Sequence, residues 1–217
     1  MCGRFSISAP AETLRIRFNA LFNEEFKPTY NAAPTQRLPV ITQDEPRTIH
    51  LYRWGLIPRW AKEPKIGNQM INARAETLLQ KPSFQDSFKK RRCLVLTNGF
   101  YEWKQTSDQK TPYRISIQDN DLFVFAGIWD VWRTPGGETL RSFSIITTEP
   151  NELMRSLHNR MPVILKKENE HSWLQDVDTQ EAQSMLEPYP LDDLKAYPIS
   201  TLVNNPRNNS GNVIRSL

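Results

Sequence analysis

The fold prediction starts from the stretch Arg92-Cys93-Leu94-Val95-Leu96-Thr97-Asn98-Gly99-Phe100-Tyr101-Glu102-Trp103-Lys104. Its first six residues contain a continuous apolar run, which is typical of a buried β-strand. Asn98-Gly99 predicts a turn, and residues 100–104 predict the start of another strand. Cys93 lies inside the first strand, where a free cysteine behaves as a small apolar side chain.

Strands and helices are predicted on both sides of this stretch. Residues 1–8 are expected to be extended, and further strands are expected at 38–42, 48–54, 113–117, 122–129, 142–148 and 196–200. Helices are expected from Pro10 (with Leu14, Phe18, Leu21 and Phe22 on one face), within 73–90, and at 149–156, 168–173 and 179–186. Turns are expected at Asp119-Asn120 and Pro135-Gly136-Gly137, and loops at 26–36 and in the tail from about residue 205.

These elements favour one fold class. The strands come in runs and do not alternate strictly with helices, and the sequence has no internal repeat and no low-complexity linker. We therefore expect an α+β single domain over residues 1–217, antiparallel-rich, with a barrel-like β-sheet and flanking helices.

Composition narrows the functional classes. No apolar run reaches transmembrane length, and no signal pattern is present, so we expect a cytoplasmic, nucleoid-associated protein with no membrane partner. Three histidines and two cysteines without ligand spacing predict no metal, and no cofactor is expected. Residues 1–110 carry 18 Lys and Arg against 10 Asp and Glu, and residues 111–217 carry 10 against 14. A basic half with interleaved aromatic residues, including the run Lys89-Lys90-Arg91-Arg92, suits single-stranded nucleic acid, although an ordinary solvated surface is the alternative.

Cys2 directly follows the initiator methionine. Removal of Met1 would leave an α-amine and a thiol on adjacent carbons, and an N-terminal nucleophile can use its own amine as a base. With an aldehyde, the amine gives an imine that the thiol can close into a five-membered thiazolidine. The alternative is a chance cysteine in a frayed terminus.

Two stretches further along the chain combine polar groups that suit catalysis. Asn72 and Arg74 would face the same side of an extended segment, where the amide can donate to an oxygen and the guanidinium can hold a phosphate, although a surface turn is the simpler interpretation. Glu102 lies among aromatic residues, and burial there would raise its pKa and suit it to proton transfer. The alternative places Glu102 on the solvated face of a strand.

Other candidates are a histidine and several loop aromatics. His158 follows a predicted helix and could act as a general acid near neutral pH, although a lone histidine is more often structural. Arg160 beside it could contact a phosphate. Pro34, Trp54 and Trp60 fall in predicted loops, where they could stack on bases, although tryptophan more commonly fills a core.

Six motifs together resemble the SRAP family (SOS-response-associated peptidase) over about residues 1–205. They are Met1-Cys2-Gly3-Arg4-Phe5, Tyr30-Asn31-Ala32-Ala33-Pro34, Trp54-Gly55-Leu56-Ile57-Pro58, Ile71-Asn72-Ala73-Arg74-Ala75-Glu76-Thr77, Gly99-Phe100-Tyr101-Glu102-Trp103 and His158-Asn159-Arg160-Met161-Pro162. The resemblance implies a protein that shields abasic sites in single-stranded DNA through a thiazolidine DNA–protein crosslink. It also implies removal of Met1, with an autoprocessing peptidase activity and a lyase-like crosslinking activity.

The resemblance also implies roles for individual residues. Cys2 would be the nucleophile, Asn72 would hold the sugar, Glu102 would move protons at the Cys2 amine, and His158 would protonate the sugar ring oxygen. Implied DNA-binding residues are Arg4, Pro34, Trp60, Arg74, Trp103 and Arg160. Expected partners are single-stranded DNA containing abasic sites and, as a further candidate, the replication machinery, and a monomer is expected.

Two other classes remain open at the level of the sequence. The first is a thiol peptidase acting on protein substrates, with Cys2, His158 and either Glu102 or Asn72 as its catalytic group. The second is a non-covalent module that binds modified DNA and has no need of Cys2.

Overall fold

A computed structural model describes residues 2–118, 121–134 and 136–217. Met1, the predicted turn at 119–120 and Pro135 of the next predicted turn lie outside the described residues. Strands are β1 Phe5–Ile7, β2 Thr29–Ala32, β3 Arg37–Thr42, β4 Ile49–Trp54, β5 Asn72–Arg74, β6 Arg92–Thr97, β7 Gly99–Gln105, β8 Lys110–Ile117, β9 Phe123–Arg133, β10 Thr139–Thr148, β11 Met161–Pro162 and β12 Leu194–Pro198. Helices are α1 Ala11–Phe18, α2 Gln85–Lys90, α3 Glu152–Arg155, α4 Asn169–Trp173 and α5 Thr179–Ser184.

Five strands close into a barrel. β4 pairs with β3, β3 with β6, β6 with β9 and β9 with β10, all antiparallel. A short parallel pairing of β10 with β4, in which Phe143 lies opposite Trp54, completes the ring. β5 and β11 both attach to the C-terminal half of β10. This architecture confirms the expected α+β class and the barrel-like sheet.

A second, open sheet has the order β12-β8-β7-β1-β2 and is antiparallel throughout. β6 belongs to the barrel and β7 to this sheet, so the predicted turn at Asn98-Gly99 is a corner between the two sheets. Arg114 Nη2 donates to the Asn98 carbonyl at 2.8 Å. A Cβ atom at Gly99 would lie 2.8 Å from the Arg114 guanidinium, which explains why the corner carries glycine.

The core joins the two sheets through aromatic rings. Phe5 of the open sheet lies 5.0 Å from the ring of Trp54 and 5.9 Å from that of Phe125, both on barrel strands. Phe100 on β7 also contacts Phe125 edge to face at 5.8 Å. Phe5, Trp54, Phe100 and Phe125 are fully buried. The first strand of the chain is therefore fixed against the barrel immediately after Cys2.

Two sequence-based expectations near the N-terminus were wrong. Residues 26–36 were expected to be a loop, but they contain β2, whose Asn31 side chain is satisfied by carbonyl groups of the C-terminal tail. Leu21 was expected on the buried face of the first helix, but α1 ends at Phe18. Asn19, the next residue, adopts the left-handed conformation (φ 46°), and Leu21 is 58% exposed. Leu14 is buried as expected.

The basic run 89–92 is only partly a surface. Arg92 is 1% exposed and donates to the carbonyl groups of Phe88, Lys89, Trp173 and Gln175. Arg91 lies 3.2 Å from an Asp130 carboxylate oxygen. These two cations hold α2 and α4 on the barrel, so neither of the two expected uses, a nucleic-acid surface or a solvated surface, applies to Arg91 and Arg92.

The tail packs against the open sheet. It forms two short 3-10 helices, Thr201–Asn204 and Gly211–Ile214, and a bridge between Ile199 and Ser216. None of the helices in the described part of the chain is long and apolar enough to cross a membrane.

Candidate functional site

The expected catalytic side chains meet where the N-terminus runs between the two sheets. The Cys2 side chain is fully buried, and its thiol donates to the Arg4 carbonyl across 3.7 Å. Asn72, the first residue of β5, donates from Nδ2 to the Cys2 carbonyl at 2.9 Å. The Tyr101 N–H donates to the Arg4 carbonyl at 3.0 Å, which continues the pairing of β1 with β7 and brings Glu102 beside the Cys2-Gly3 segment.

Trp54 positions the Asn72 strand. The sequence suggested that Trp54 lies in a loop and could stack on bases, but its side chain is fully buried. Its indole Nε1 donates to the Ile71 carbonyl at 2.9 Å. Asn72 then pairs with Ile145 of β10. Asn72 is therefore fixed by a buried tryptophan on one side and a barrel strand on the other.

Burial controls the protonation of two groups at this site. Burial raises the pKa of the Cys2 thiol above its ordinary value, and the negative charge of Glu102 raises it further. Burial likewise raises the pKa of Glu102, which is 3% exposed, while a positive charge on the His158 ring acts on that pKa in the opposite direction. Because these groups affect one another's charge, Cys2, Glu102 and His158 share one electrostatic environment.

Asn72 has an unused acceptor at this site. Its Oδ1 atom is buried and makes no hydrogen bond with the described residues, while Nδ2 is engaged by Cys2. A buried amide oxygen without a donor costs stability, so its retention is typical of a site that receives a ligand donor.

The His158 ring is held by the main chain of Arg160. The Arg160 N–H donates to His158 Nδ1 at 3.1 Å, and the Arg160 carbonyl lies 3.3 Å from the same nitrogen. A neutral ring that accepts at Nδ1 carries its proton on Nε2. A protonated ring can instead donate from Nδ1 to the carbonyl, so the same segment holds both states of the ring.

The Arg160 side chain binds Glu76, a residue that was not among the expected site residues. Its guanidinium binds both carboxylate oxygens of Glu76, at 2.7 and 3.0 Å, and also donates to the Thr147 carbonyl at 2.7 Å. These hydrogen bonds lower the pKa of Glu76. Its position in the Asn72-to-Thr77 motif, two residues after Arg74, was the available signal.

Arg4 and Trp103 lie beside this site but contact the tail. Arg4 Nη1 donates to Asn31 Oδ1 at 2.7 Å and to the Val203 carbonyl at 2.8 Å. Trp103 Nε1 donates to Asn204 Oδ1 at 2.8 Å, and Lys110 Nζ lies 5.9 Å from the Trp103 ring. Both expected DNA-binding side chains thus have intramolecular partners in this structure.

The other expected DNA contacts differ in exposure. Arg74 is exposed, and its guanidinium makes no hydrogen bond or ion pair with the described residues. Trp60 is 56% exposed, and Pro34 is half-buried. No hydrogen bond or ring contact between described residues connects Trp60 or Pro34 with Cys2.

The described residues contain no group of three or more His, Cys, Asp or Glu side chains arranged to hold a metal ion. What the arrangement offers is a thiol, a carboxyl group, an imidazole and an amide around one backbone segment. Such a set can transfer protons and hold an oxygen-rich ligand.

The chain is similar over its whole length to known proteins. The abasic site processing protein YoqW of Bacillus subtilis (strain 168) is 47% identical over 223 residues that cover all of both chains. The abasic site processing protein HMCES of Xenopus tropicalis is 34% identical over 87% of this chain and 66% of that protein. A crystal structure of a Bacteroides thetaiotaomicron protein matches all of both chains with a TM-score of 0.93 and 31% identity. The SOS response associated peptidase (SRAP) model matches residues 1–206, and the chain therefore belongs to the SRAP family.

Proposed function

We propose that this protein processes abasic sites in single-stranded DNA by capturing them covalently through Cys2, once Met1 has been removed. The observation that carries the proposal is the hydrogen bond from Asn72 to the Cys2 carbonyl, with Glu102 beside the same segment. The residue that would bear the α-amine is thereby held in place by a buried polar group. The names of the relatives YoqW and HMCES support abasic sites as the substrate.

The chemistry balances without an added oxidant or reductant. A closed abasic sugar opens when its ring oxygen takes a proton and its C1 hydroxyl loses one, which gives the aldehyde. The Cys2 amine adds to that carbon and water leaves, forming an imine. The thiol sulfur then bonds to the same carbon while its proton passes to nitrogen, giving a thiazolidine.

Each proton transfer has a candidate group in the structure. His158 would deliver the proton to the sugar ring oxygen, since the main chain of Arg160 can hold its ring in either protonation state. Glu102, whose pKa is raised by burial, would accept and return protons at the Cys2 amine and thiol. Asn72 Oδ1 would accept a hydrogen bond from a sugar hydroxyl.

The protonation of Cys2 favours this chemistry over a thiol peptidase that attacks protein substrates. A thiol peptidase acts through a thiolate and needs a lowered thiol pKa. Burial and Glu102 raise the pKa of Cys2 instead. In thiazolidine formation the amine attacks first, and the thiol is needed only after the imine exists.

The DNA would follow the exposed side of the site. Arg74 would contact a phosphate next to the abasic site, and Trp60 and Pro34 would stack against flanking bases. Arg4, Trp103 and Arg160 would line the path. Their present hydrogen bonds mean that any phosphate or base contact would use their remaining atoms or displace a protein partner.

The test is a denaturing gel of protein incubated with an abasic single-stranded oligonucleotide. We expect a heat-stable adduct with the wild type and with Cys93→Ala, a control that removes the other buried thiol. Cys2→Ser should lose the stable adduct but should still be trapped by borohydride as an imine. Strand nicking should rise with this variant, because its imine remains open to β-elimination.

A second variant separates the candidate mechanisms. Inserting one residue before Cys2 leaves the thiol in place but moves the α-amine away from it. We expect this variant to form no stable adduct. If it crosslinks abasic DNA as well as the mature protein does, an internal group makes the bond and the thiazolidine proposal is wrong.

A further inference from the structure

We infer that Glu76 is a positioning residue for His158, which acts by clamping Arg160. The importance of this clamp for the reaction rests on the function proposed above, whereas its effect on the His158 ring does not. Glu76 lies four residues after Asn72, and Arg160 lies two residues after His158. The Glu76–Arg160 pair therefore ties together the two chain segments that supply the site with its amide and its imidazole.

The clamp crosses the edge of the barrel. β5 and β11 attach to β10 without pairing with each other, and Thr147 of β10 lies opposite both Arg74 and Pro162. The Arg160 guanidinium reaches over this strand, donating to the Thr147 carbonyl and hydroxyl and to both Glu76 oxygens. The Arg160 side chain is 15% exposed and that of Glu76 is 46% exposed. The pair is thus partly screened from water on the arginine side.

The geometry gives the clamp its effect on His158. The Arg160 N–H lies 3.1 Å from Nδ1 and the Arg160 carbonyl lies 3.3 Å from it, so the Arg160 backbone favours a neutral ring that accepts at Nδ1 and carries its proton on Nε2. Bidentate arginine–carboxylate pairs fix orientation as well as distance. With Glu76 in place, Arg160 cannot turn without breaking its hydrogen bonds to Glu76 and Thr147, so its N–H stays directed at Nδ1 and favours the proton on Nε2.

The alternative role for Glu76 is to occupy Arg160 until a phosphate replaces it. That role predicts a change in DNA affinity, because removing Glu76 would leave Arg160 available to DNA. The positioning role predicts instead a change in the ring and in the rate at saturation, with little change in affinity.

The experiment uses Glu76→Ala and Glu76→Gln in the full chain. Glu149→Gln is the matched control, because Glu149 lines the same 320 Å³ cavity as Glu76 but makes no hydrogen bond or ion pair with the described residues. The first measurement is the nitrogen NMR spectrum of the histidine rings without DNA, with His158 assigned by His158→Gln. The second is single-turnover adduct formation at saturating protein, alongside affinity for an intact oligonucleotide.

We expect the neutral His158 ring of the wild type and of the control to be the Nε2–H tautomer. Glu76→Ala should show a mixture of the two neutral forms and a saturated rate lower by about tenfold, with oligonucleotide affinity within about twofold. Glu76→Gln keeps one acceptor for Arg160 and should recover most of the ring signal and rate. This variant also keeps the inference testable if Glu76→Ala fails to fold.

The inference is overturned if Glu76→Ala leaves the ring form and the saturated rate unchanged, including the case in which only DNA affinity changes. If the wild type forms no adduct, the proposed function fails, and the ring spectrum alone decides the role of Glu76.

Discussion

In the proposed mechanism Glu102 transfers protons, and its burial has a cost for folding. The residue is 3% exposed, and its pKa is raised because burial disfavours the carboxylate. A carboxyl group whose pKa is higher in the folded than in the unfolded state destabilises the fold when it ionises. The free energy of unfolding therefore falls as pH rises from the unfolded pKa, about 4.3, through the folded pKa. Such a strained ionisable group is typical of a functional site.

Glu102→Gln should separate the two effects. The amide keeps the shape but cannot ionise, so we expect the variant to melt about 2–4 °C higher than the wild type at neutral pH, with no gain near pH 4. Adduct formation should slow by about 10²-fold, the low end for loss of an acid–base group. Melting curves across pH check the first effect. A neutral-pH melting temperature below that of the wild type would contradict this account of the carboxyl group.

Arg74 is the residue to test for DNA contact. Because Arg74 is exposed and its guanidinium makes no hydrogen bond or ion pair with the described residues, we expect Arg74→Ala to weaken binding to any single strand. The slope of log affinity against log salt should fall by about 0.7. Arg47→Ala, an exposed arginine beside α1, is the matched control. An unchanged salt slope with a slower crosslinking rate would assign Arg74 to the chemistry instead.

Single residues also show what the sequence could and could not predict. Cys2, Asn72, Glu102 and His158 were proposed from the family resemblance and from their residue types, and the structure places them around one segment. Glu76 was missed although it lies in one of the motifs that carry the family resemblance, because residue type and local pattern do not distinguish a clamp from a solvated side chain. Its partner is 84 residues away in the sequence.

At the scale of elements, buried arginines hold helices on the barrel. Arg92 on β6 donates to carbonyl groups at the end of α2 and around the end of α4, and its guanidinium lies 5.6 Å from the Trp173 ring. The basic run 89–92 could not reveal this burial, because charge alone does not show that four carbonyl groups will meet the side chain. The apolar runs of β6, β9 and β10, by contrast, were enough to predict those strands.

Arg92→Met should uncouple these elements. The methionine side chain fills the space but leaves several buried carbonyl groups without donors. We therefore expect the free energy of unfolding to fall by about 3 kcal/mol and the melting temperature to fall by about 6–12 °C. Oligonucleotide affinity, measured below the transition, should stay within about twofold, because Arg92 is buried away from solvent. A stable variant with weak DNA binding would reverse this assignment and return Arg92 to the DNA surface.

Over the whole molecule, distant parts of the chain meet at the N-terminal strand. The parallel pairing of β4 with β10 closes the barrel between strands about ninety residues apart, which local patterns could not indicate. The tail likewise returns to the start of the chain, where Asn31 donates to the carbonyl groups of Val203, Asn205 and Asn208. These contacts explain why β2 formed in a segment whose prolines and asparagines predicted a loop.

Asn31→Ala should release the tail. Three carbonyl groups and Arg4 lose a hydrogen-bond partner. We therefore expect the free energy of unfolding to fall by about 2 kcal/mol and proteolytic cleavage within residues 201–210 to become faster. Asn23→Ala, an exposed asparagine with no hydrogen bond among the described residues, is the control. Limited proteolysis with mass spectrometry locates the cuts. Equal cleavage of the two variants would show that the tail is held by its apolar contacts alone.

The central claim is that the Cys2 amine and thiol both bond to the abasic carbon. The most direct measurement is mass spectrometry of the adduct after protease and nuclease digestion, with alkylation of remaining thiols. We expect the modified peptide to begin at Cys2, to carry the deoxyribose residue with loss of one water, and to resist both alkylation and borohydride. An adduct on a lysine or other internal residue, a peptide that retains Met1, or a Cys2 thiol that still alkylates would contradict the account.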